Sequence, residues 1–435
     1  MNRTFALISL GCAKNLVNSE QMLHLMSEAG FELIDDTSAA DVVVINTCGF
    51  IDAAKEEAIS TIFEVASVNE NIIVTGCLPE RYKEEIAGEL PEVRAFLGTG
   101  SFNEIVEAAK ACCEGRTYLS FASSSAPIDE LPRVISTGPN WAYLRIAEGC
   151  DNFCSFCAIP FIRGRYRSRA MENILEEASE LAEHGVKEII VIAQDITRYG
   201  TDLYGKRCLA ELCRKISEIE GIEWIRLHYL YPDQFDDELI EEIASNDKIV
   251  KYLDIPIQHI NNGILKSMNR RGTGDEIRAL FAKLRERIPG LVLRTSLIAG
   301  LPGEGETEFE ELCAFLREAK IERAGVFPFS PEEGTAAALM DHPDYDTALR
   351  RAEYIMTEIQ APVMDSFCES FIGKTIRVFC QYSDGELLHG RCYADSPDID
   401  GEVCFVGSCP EGDFAEVLVT GTDDGILYGK EVAVG

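Results

Sequence analysis

Three times in its first 77 residues the chain runs a strand-like apolar segment straight into a cysteine. Cys12 follows FALISLG, Cys48 follows VVVINT and Cys77 follows IIVTG. These segments span residues 5–10, 41–47 and 71–76, and a fourth spans 93–98. Amphipathic helix patterns follow at 19–30, 51–68, 79–90 and 102–113. Such alternation predicts an open parallel sheet covered by helices. The carboxyl ends of its strands share one edge, where ligands bind. Three thiols distant in sequence are therefore expected to converge. Three soft thiolates without an obvious histidine partner suit an iron–sulfur cluster with one open iron. The plainer alternative is three buried cysteines, and their shared structural position favours ligation. Cys112 and Cys113 end a helix pattern and read as structural.

Composition sets the frame for the cysteines. The chain has 435 residues, 16 of them cysteine, and a formal net charge of −34 from 40 basic and 74 acidic residues. With 46% hydrophobic residues, about three domains with a sizeable core are expected. No run approaches the 18 or so apolar residues of a membrane-spanning helix. The first apolar run is too short for a signal peptide. A cytoplasmic protein without membrane attachment is therefore expected, and there cysteines bind metal or do chemistry more readily than they form disulfides. The charge disfavours general binding of nucleic acid or anionic membranes and favours a basic protein partner.

Beyond a mixed segment at 116–133, which contains SSSAP and reads as a linker, strand patterns resume at 142–147, 187–193, 224–231, 251–257, 292–298 and 325–329. Helix patterns at 171–185 and 275–288 lie between them. Six βα units predict a partial barrel. Residues 347–371 read as one long closing helix. Short strands at 375–381, 387–394, 402–406, 415–420 and 426–434 predict a small all-β barrel. The expected fold is thus α/β: an open parallel α/β domain over 1–118, a partial (βα)6 barrel over 134–364 and a small β-barrel over 365–435.

The loop after the first barrel strand reads EGCDNFCSFC, so Cys150, Cys154 and Cys157 form CxxxCxxC. One loop of this spacing can hold three irons of a [4Fe–4S] cluster and leave the fourth open. A zinc site would ask for a second CxxC or a nearby HxxxH. A redox CxxC gives the third cysteine no role.

This loop, followed by six βα units, resembles the radical S-adenosylmethionine (SAM) superfamily. With the Cys12, Cys48 and Cys77 domain in front and a TRAM-like barrel behind, the whole chain resembles the methylthiotransferases. The strings SLGCAKNLVNSE, INTCGFIDAAKEE, RIAEGCDNFCSFCAIPFIRGR and LDIPIQHINNGILKSMNR resemble the ribosomal-protein (RimO-type) branch. The resemblance implies two [4Fe–4S] clusters, an auxiliary one on Cys12, Cys48 and Cys77 and a radical one on Cys150, Cys154 and Cys157. It implies that one SAM supplies a methyl group and another a 5′-deoxyadenosyl radical. The implied product is a methylthio group on the β-carbon of an aspartate in ribosomal protein S-twelve, with electrons from a donor of flavodoxin or ferredoxin type. Both triplets are then expected to face one cavity, since hydrogen abstraction needs short contact.

The resemblance further assigns Phe156, Gln194, Gly300, Pro302 and Gly303 to the cofactor. Gly305 departs from the threonine expected after the Gly300–Glu304 turn. Asp195, His228, Tyr229, Gln258 and His259 sit at barrel-strand carboxyl ends and read as cavity-lining, with no defined catalytic role. The branch that modifies adenosine in tRNA is the alternative. Against it, residues 365–435 hold fourteen acidic and four basic residues, a net of −10, whereas an RNA-binding barrel should be basic. Arg163, Arg165, Arg167 and Arg169 follow the cluster loop and could meet phosphate, with a cofactor carboxylate, an acidic substrate side chain or plain surface as the alternatives. A non-catalytic iron–sulfur carrier or scaffold is the alternative of another class, and it would need no six-unit barrel.

Overall fold

The computed structural model describes residues 3–138 and 140–433. The chain forms two compact units: one comprises the chain to Ser136 with 147–169 and 330–338, the other 137–146, 170–329 and everything from 339 onward.

The first unit is built on six parallel strands: β1 (Thr4–Ser9), β2 (Glu32–Leu33), β3 (Val42–Thr47), β4 (Ile72–Gly76), β5 (Ala95–Leu97) and β6 (Tyr118–Ser120), in the order β2-β1-β3-β4-β5-β6. Every residue of β3 and β4 is buried, as strands covered on both faces must be. Helices α1 (Ala13–Glu28), α2 (Asp52–Ala66) and α3 (Cys77–Tyr82) follow β1, β3 and β4. The structure corrects three expectations in this unit. Helix α1 begins six residues earlier than its apolar pattern, directly after Cys12. The expected helix over 79–90 is two short helices, broken where Lys83 adopts a positive φ of 47°. The expected linker over 116–133 supplies the sixth strand, β6, because the Tyr118–Ser120 backbone pairs with β5. The chain beyond β6 is pinned to α1. Buried Glu20 of α1 pairs with Arg133 and accepts from the Ser136 backbone N–H at 2.8 Å.

The second unit holds β7 (Trp141–Arg145), while the short β8 (Ala147–Glu148) and β9 (Arg167–Ser168) pair within the first. Strands β10 (Glu188–Ile192), β11 (Trp224–Leu227), β12 (Ile249–Asp254), β13 (Val292–Ala299) and β14 (Arg323–Pro328) add to β7 in sequential parallel order. This is the open six-strand barrel the alternation predicts. The closing helix is regular over Tyr345–Tyr354 and Ala361–Glu369, with a π-helical turn over Ile355–Gln360. Pro362 has no N–H to donate back into that stretch, so the α ladder cannot run through unbroken.

Strands β15 (Thr375–Ser383), β16 (Leu388–Cys392), β17 (Val403–Val406), β18 (Phe414–Asp423) and β19 (Ile426–Glu431) close a five-stranded barrel. Val434, the end of the last expected strand, lies outside the described residues. The barrel is locked to the six-strand sheet by charge. Glu188, at the start of β10, accepts from Arg226 at 2.9 Å and Arg391 at 2.5 Å, all three fully or nearly fully buried. A buried carboxylate is tolerated only when paired in this way. Burial pushes the Glu188 carboxyl up, but Arg391 and Arg226 more than offset this and hold it below its ordinary value.

Candidate functional site

The first cysteine triplet converges as predicted. Cys12 precedes α1, Cys48 follows β3 and Cys77 opens α3, so all three stand past the carboxyl ends of adjacent strands. Their loops are packed too tightly for side chains on the intervening glycines. A Cβ on Gly11 would stand 3.0 Å from the Cys48 Cβ, and one on Gly49 2.8 Å from the Leu78 backbone and 2.9 Å from the Cys77 carbonyl carbon. Gly11 and Gly76 also carry φ of +97° and +98°, a region where side-chain-bearing residues are strained.

A polar network holds these loops. Asn15, one turn into α1, donates to the Thr47 carbonyl at 2.9 Å and the Leu10 carbonyl at 3.2 Å. Asn46 reaches back to the Asn15 carbonyl at 2.8 Å. The Cys77 thiol lies 3.6 Å from Asn15 Oδ1. The thiols differ in charge preference. Burial pushes Cys48 up to about 11, with Cys77 and Cys12 adding to the effect. Burial likewise raises Cys77, partly countered by Arg163. Cys12 is exposed at its surface yet ringed by protein. The desolvation this causes is outweighed by Lys14, Arg163 and the backbone N–H groups of Asn15 and Lys14, so its thiol sits below the ordinary range.

The second triplet occupies the loop between β8 and the helix Ile159–Arg163. Gly149, with φ of +77°, lets the backbone cross itself: a Cβ there would stand 2.2 Å from the Arg165 carbonyl oxygen. Cys150 N–H donates to the Gly164 carbonyl at 3.1 Å and Cys157 N–H to the Cys154 carbonyl at 3.0 Å. Cys150 is buried, and Cys154, Cys157 and Phe156 are half-buried.

Both triplets therefore belong to the first unit, and Arg163 joins them. It is 3% exposed. One face of its guanidinium meets Glu148, before Cys150, at 2.9 Å. The other end lies 3.5 Å from Cys77 Sγ and also donates to Asn15. A second tie is the segment 330–338. Glu332, 2% exposed, accepts from the Asp52 N–H at 2.9 Å, and from Lys55 and Arg81 at 3.0 Å each. Within the same segment Ala337 N–H donates to the Ser155 carbonyl at 2.8 Å. Sequence reasoning missed Asn15, Glu332 and this role of Arg163. Asn15 stands three residues after Cys12, a usable signal, whereas Glu332 had none.

The remaining arginines each have a partner within the protein, although Arg165 is exposed. Arg165 pairs with Asp151 at 2.7 Å, Arg167 donates to the Arg165 carbonyl at 2.7 Å and Arg169 donates to Glu130 at 2.8 Å. Arg163 and Arg169 are thus buried braces, Arg167 is half-buried and Arg165 stays exposed, so only part of the cluster faces outward.

Gln194 follows β10, half-buried. Gly300, Pro302 and Gly303 form the turn after β13. Gly300 has φ of +80°, and a Cβ there would stand 2.4 Å from Ala348 Cβ. Its close approach is to the helix Tyr345–Tyr354, a packing reason for this glycine. Glu304 closes the turn by accepting from the Gly300 N–H at 2.9 Å. His259, fully buried, accepts from the Asn261 N–H through Nδ1 at 3.0 Å and turns Nε2 toward Glu304 at 3.3 Å. It braces the turn. His228 Nε2 lies 3.1 Å from Ser396 Oγ in the loop between β16 and β17, so that histidine too faces a structural partner.

Residues 4–98 match the family described as uncharacterized protein family UPF0004, 144–316 the radical SAM superfamily and 372–432 the TRAM domain. The ribosomal protein uS12 methylthiotransferase RimO of Acetivibrio thermocellus is 45% identical over 448 residues, covering 99% of each chain. The chain belongs to the RimO family. A further RimO, from Caldanaerobacter subterraneus subsp. tengcongensis, is 47% identical over 98% of this chain and 100% of its own. Membership makes this chain a radical SAM transferase, a class that works with a [4Fe–4S] cluster and SAM. Among solved structures, the radical SAM methyltransferase TsrM from Kitasatospora setae shares the fold, with a TM-score of 0.58 at 15% identity, over 78% of this chain and 77% of its own. No helix among the described residues is long and apolar enough to cross a membrane.

Proposed function

We propose that the protein adds a methylthio group to the β-carbon of an aspartate in ribosomal protein uS12, using two [4Fe–4S] clusters. Cys150, Cys154 and Cys157 hold the radical cluster. Cys12, Cys48 and Cys77 hold the auxiliary one. The strongest support for this reading is the convergence of three strand-end thiols within the same compact unit as the CxxxCxxC loop. Each triplet supplies three sulfur donors, which fits a cluster with one iron left open.

A β-carbon C–H bond yields to neither acid nor base at neutral pH. Cys150, Cys154 and Cys157 would hold the cluster that, with SAM, would supply radical chemistry for such a bond, and Cys12, Cys48 and Cys77 would hold the cluster that would supply the sulfur, with the methyl coming from a second SAM. The protein's own residues do the positioning. Gln194 and the Gly300–Gly303 turn would hold SAM. Lys14 and Arg163 favour thiolate at Cys12, and Arg163 donates toward Cys77. An electron donor of flavodoxin or ferredoxin type completes the reaction, and the cytoplasm suits both donor and substrate. The acidic surface suits a basic ribosomal protein, and the burial of Arg163 and Arg169 in ion pairs leaves those two ill-placed to meet RNA.

The test is anaerobic turnover of the reconstituted protein with SAM, reductant and sulfide, offering uS12 and bulk tRNA in parallel, read by mass spectrometry. A methylthio group on uS12 alone is expected. Modification of tRNA alone would contradict the reading. Failure to bind SAM after reconstitution would favour a carrier.

A further inference from the structure

Away from both triplets, the C-terminal barrel brings together three donors of different chemistry. His389 of β16 and Cys404 of β17 are directly opposed across the strands. Glu402 lies just before β17. His389 Nδ1 stands 3.5 Å from Cys404 Sγ and 3.2 Å from Glu402 Oε2, and Cys404 Sγ stands 3.5 Å from Glu402 Oε1. Tetrahedral zinc binds sulfur at about 2.3 Å, nitrogen at 2.0–2.1 Å and oxygen at 2.0–2.2 Å, which gives edges of about 3.6 Å for S–N and S–O and about 3.4 Å for N–O. The His389–Cys404 contact is close to one such edge, and Glu402, which turns one oxygen to each of the other two, offers the third donor, with one ligand atom from each residue lying within 4.8 Å of the others.

The surroundings match as well. Zinc-bound histidine commonly donates its other ring N–H to a carboxylate, which fixes the tautomer and aims the ligating nitrogen. His389 Nε2 meets Asp384 Oδ2 at 3.1 Å, leaving Nδ1 to face Cys404 and Glu402. Tyr382 stacks on the same ring at 4.5 Å with an interplanar angle of 3°, which fixes its plane. Cys404 is 5% exposed, and the His389 side chain 12%. A soft thiolate beside imidazole and carboxylate selects zinc over magnesium or calcium.

We infer that His389, Glu402 and Cys404 form a zinc site in the C-terminal barrel, with Asp384 orienting the histidine and a water completing the tetrahedron. The metal staples β16 to β17. Without it, the same contacts are a hydrogen-bonded triad.

The test uses the reconstituted holoenzyme, dialysed against zinc chloride, desalted and assayed for zinc and iron by elemental mass spectrometry. One retained zinc per chain is expected, with a zinc-edge absorption spectrum showing one sulfur and otherwise nitrogen or oxygen. The His389→Gln, Cys404→Ser double variant loses that zinc and keeps its iron. Asp384→Asn, which leaves all three ligands in place, weakens zinc binding by about 10–100-fold. Zinc raises the Tm of the parent and leaves that of the double variant unchanged. No retained zinc would overturn the site and leave the triad only. A spectrum with three or four sulfurs would overturn it by assigning the metal to a cysteine triplet. Because the spectrum is read on the unmodified protein, misfolding of a variant cannot rescue the proposal.

Discussion

At the residue scale the candidate site depends on Arg163. Its guanidinium contacts both a thiol of the first triplet and Glu148, the strand residue just before the loop of the second. Replacing it by Met removes a donor and a charge beside Cys77 while keeping bulk. Outer-shell changes of this kind cost about 10–100-fold in metal affinity or activity. We expect Arg163→Met to lower auxiliary iron and shift that cluster's reduction potential to more negative values, measured by anaerobic potentiometry with electron paramagnetic resonance. Arg163→Lys should restore part of the shift. A potential unchanged in both variants would assign Arg163 to folding alone. Nothing in the sequence distinguishes Arg163 from Arg165, Arg167 and Arg169. Alternate spacing puts four arginines in view; burial marks Arg163 and Arg169, and only the contact with Cys77 sets Arg163 apart.

At the element scale, two joints decide the architecture. Gly49 keeps the loop after β3 against the start of α3. In Gly49→Ala the new methyl meets the Leu78 backbone at 2.8 Å. Overpacking of this kind costs about 1–3 kcal/mol and should separate Cys48 from Cys77. Iron analysis should show loss of auxiliary iron with SAM cleavage retained. The second joint is Glu188 with Arg226 and Arg391. Removing the carboxylate in Glu188→Ala strands two buried guanidinium groups, a loss of about 3–5 kcal/mol, read by denaturant unfolding. Its depressed folded value sets the sign of the pH effect. The contribution is complete above the unfolded value near 4.5 and is lost as pH falls through the folded value below it. The parent's advantage over the variant should therefore shrink as pH falls below 4.5 toward the depressed folded value. The strands were readable because apolar runs recur at the right spacing. The start of α1 was not, since apart from Val17 its buried face is polar, with Lys14, Asn15 and Asn18 before the first apolar repeat, and a hydrophobic pattern cannot show a polar core. The break at Lys83 and the strand β6 depend on tertiary pairing, which local pattern does not encode.

At the scale of the whole molecule, a net charge of −34 makes association with a basic substrate depend on ionic strength. The screening length falls from about 10 Å at 0.1 M salt to about 3 Å at 1 M. Raising salt across that range should increase KM for uS12 about tenfold or more while leaving uncoupled SAM cleavage nearly unchanged. Domain order was readable because each part has its own periodicity: βα units, then βα units around a cysteine loop, then short strands. That both triplets share one compact unit was not, because the CxxxCxxC loop and residues 330–338 leave the six-strand sheet to join the first sheet's unit. The central claim is that each triplet holds its own cluster and that only one is needed for radical formation. The direct measurement is iron content by Mössbauer spectroscopy, with SAM cleavage and uS12 methylthiolation assayed in parallel, on the Cys12→Ala, Cys48→Ala, Cys77→Ala triple variant. Half the parent's iron, one [4Fe–4S] cluster, intact reductive SAM cleavage and no methylthio transfer are expected. A triple variant that keeps the parent's full iron content, or still methylthiolates uS12, would contradict the claim.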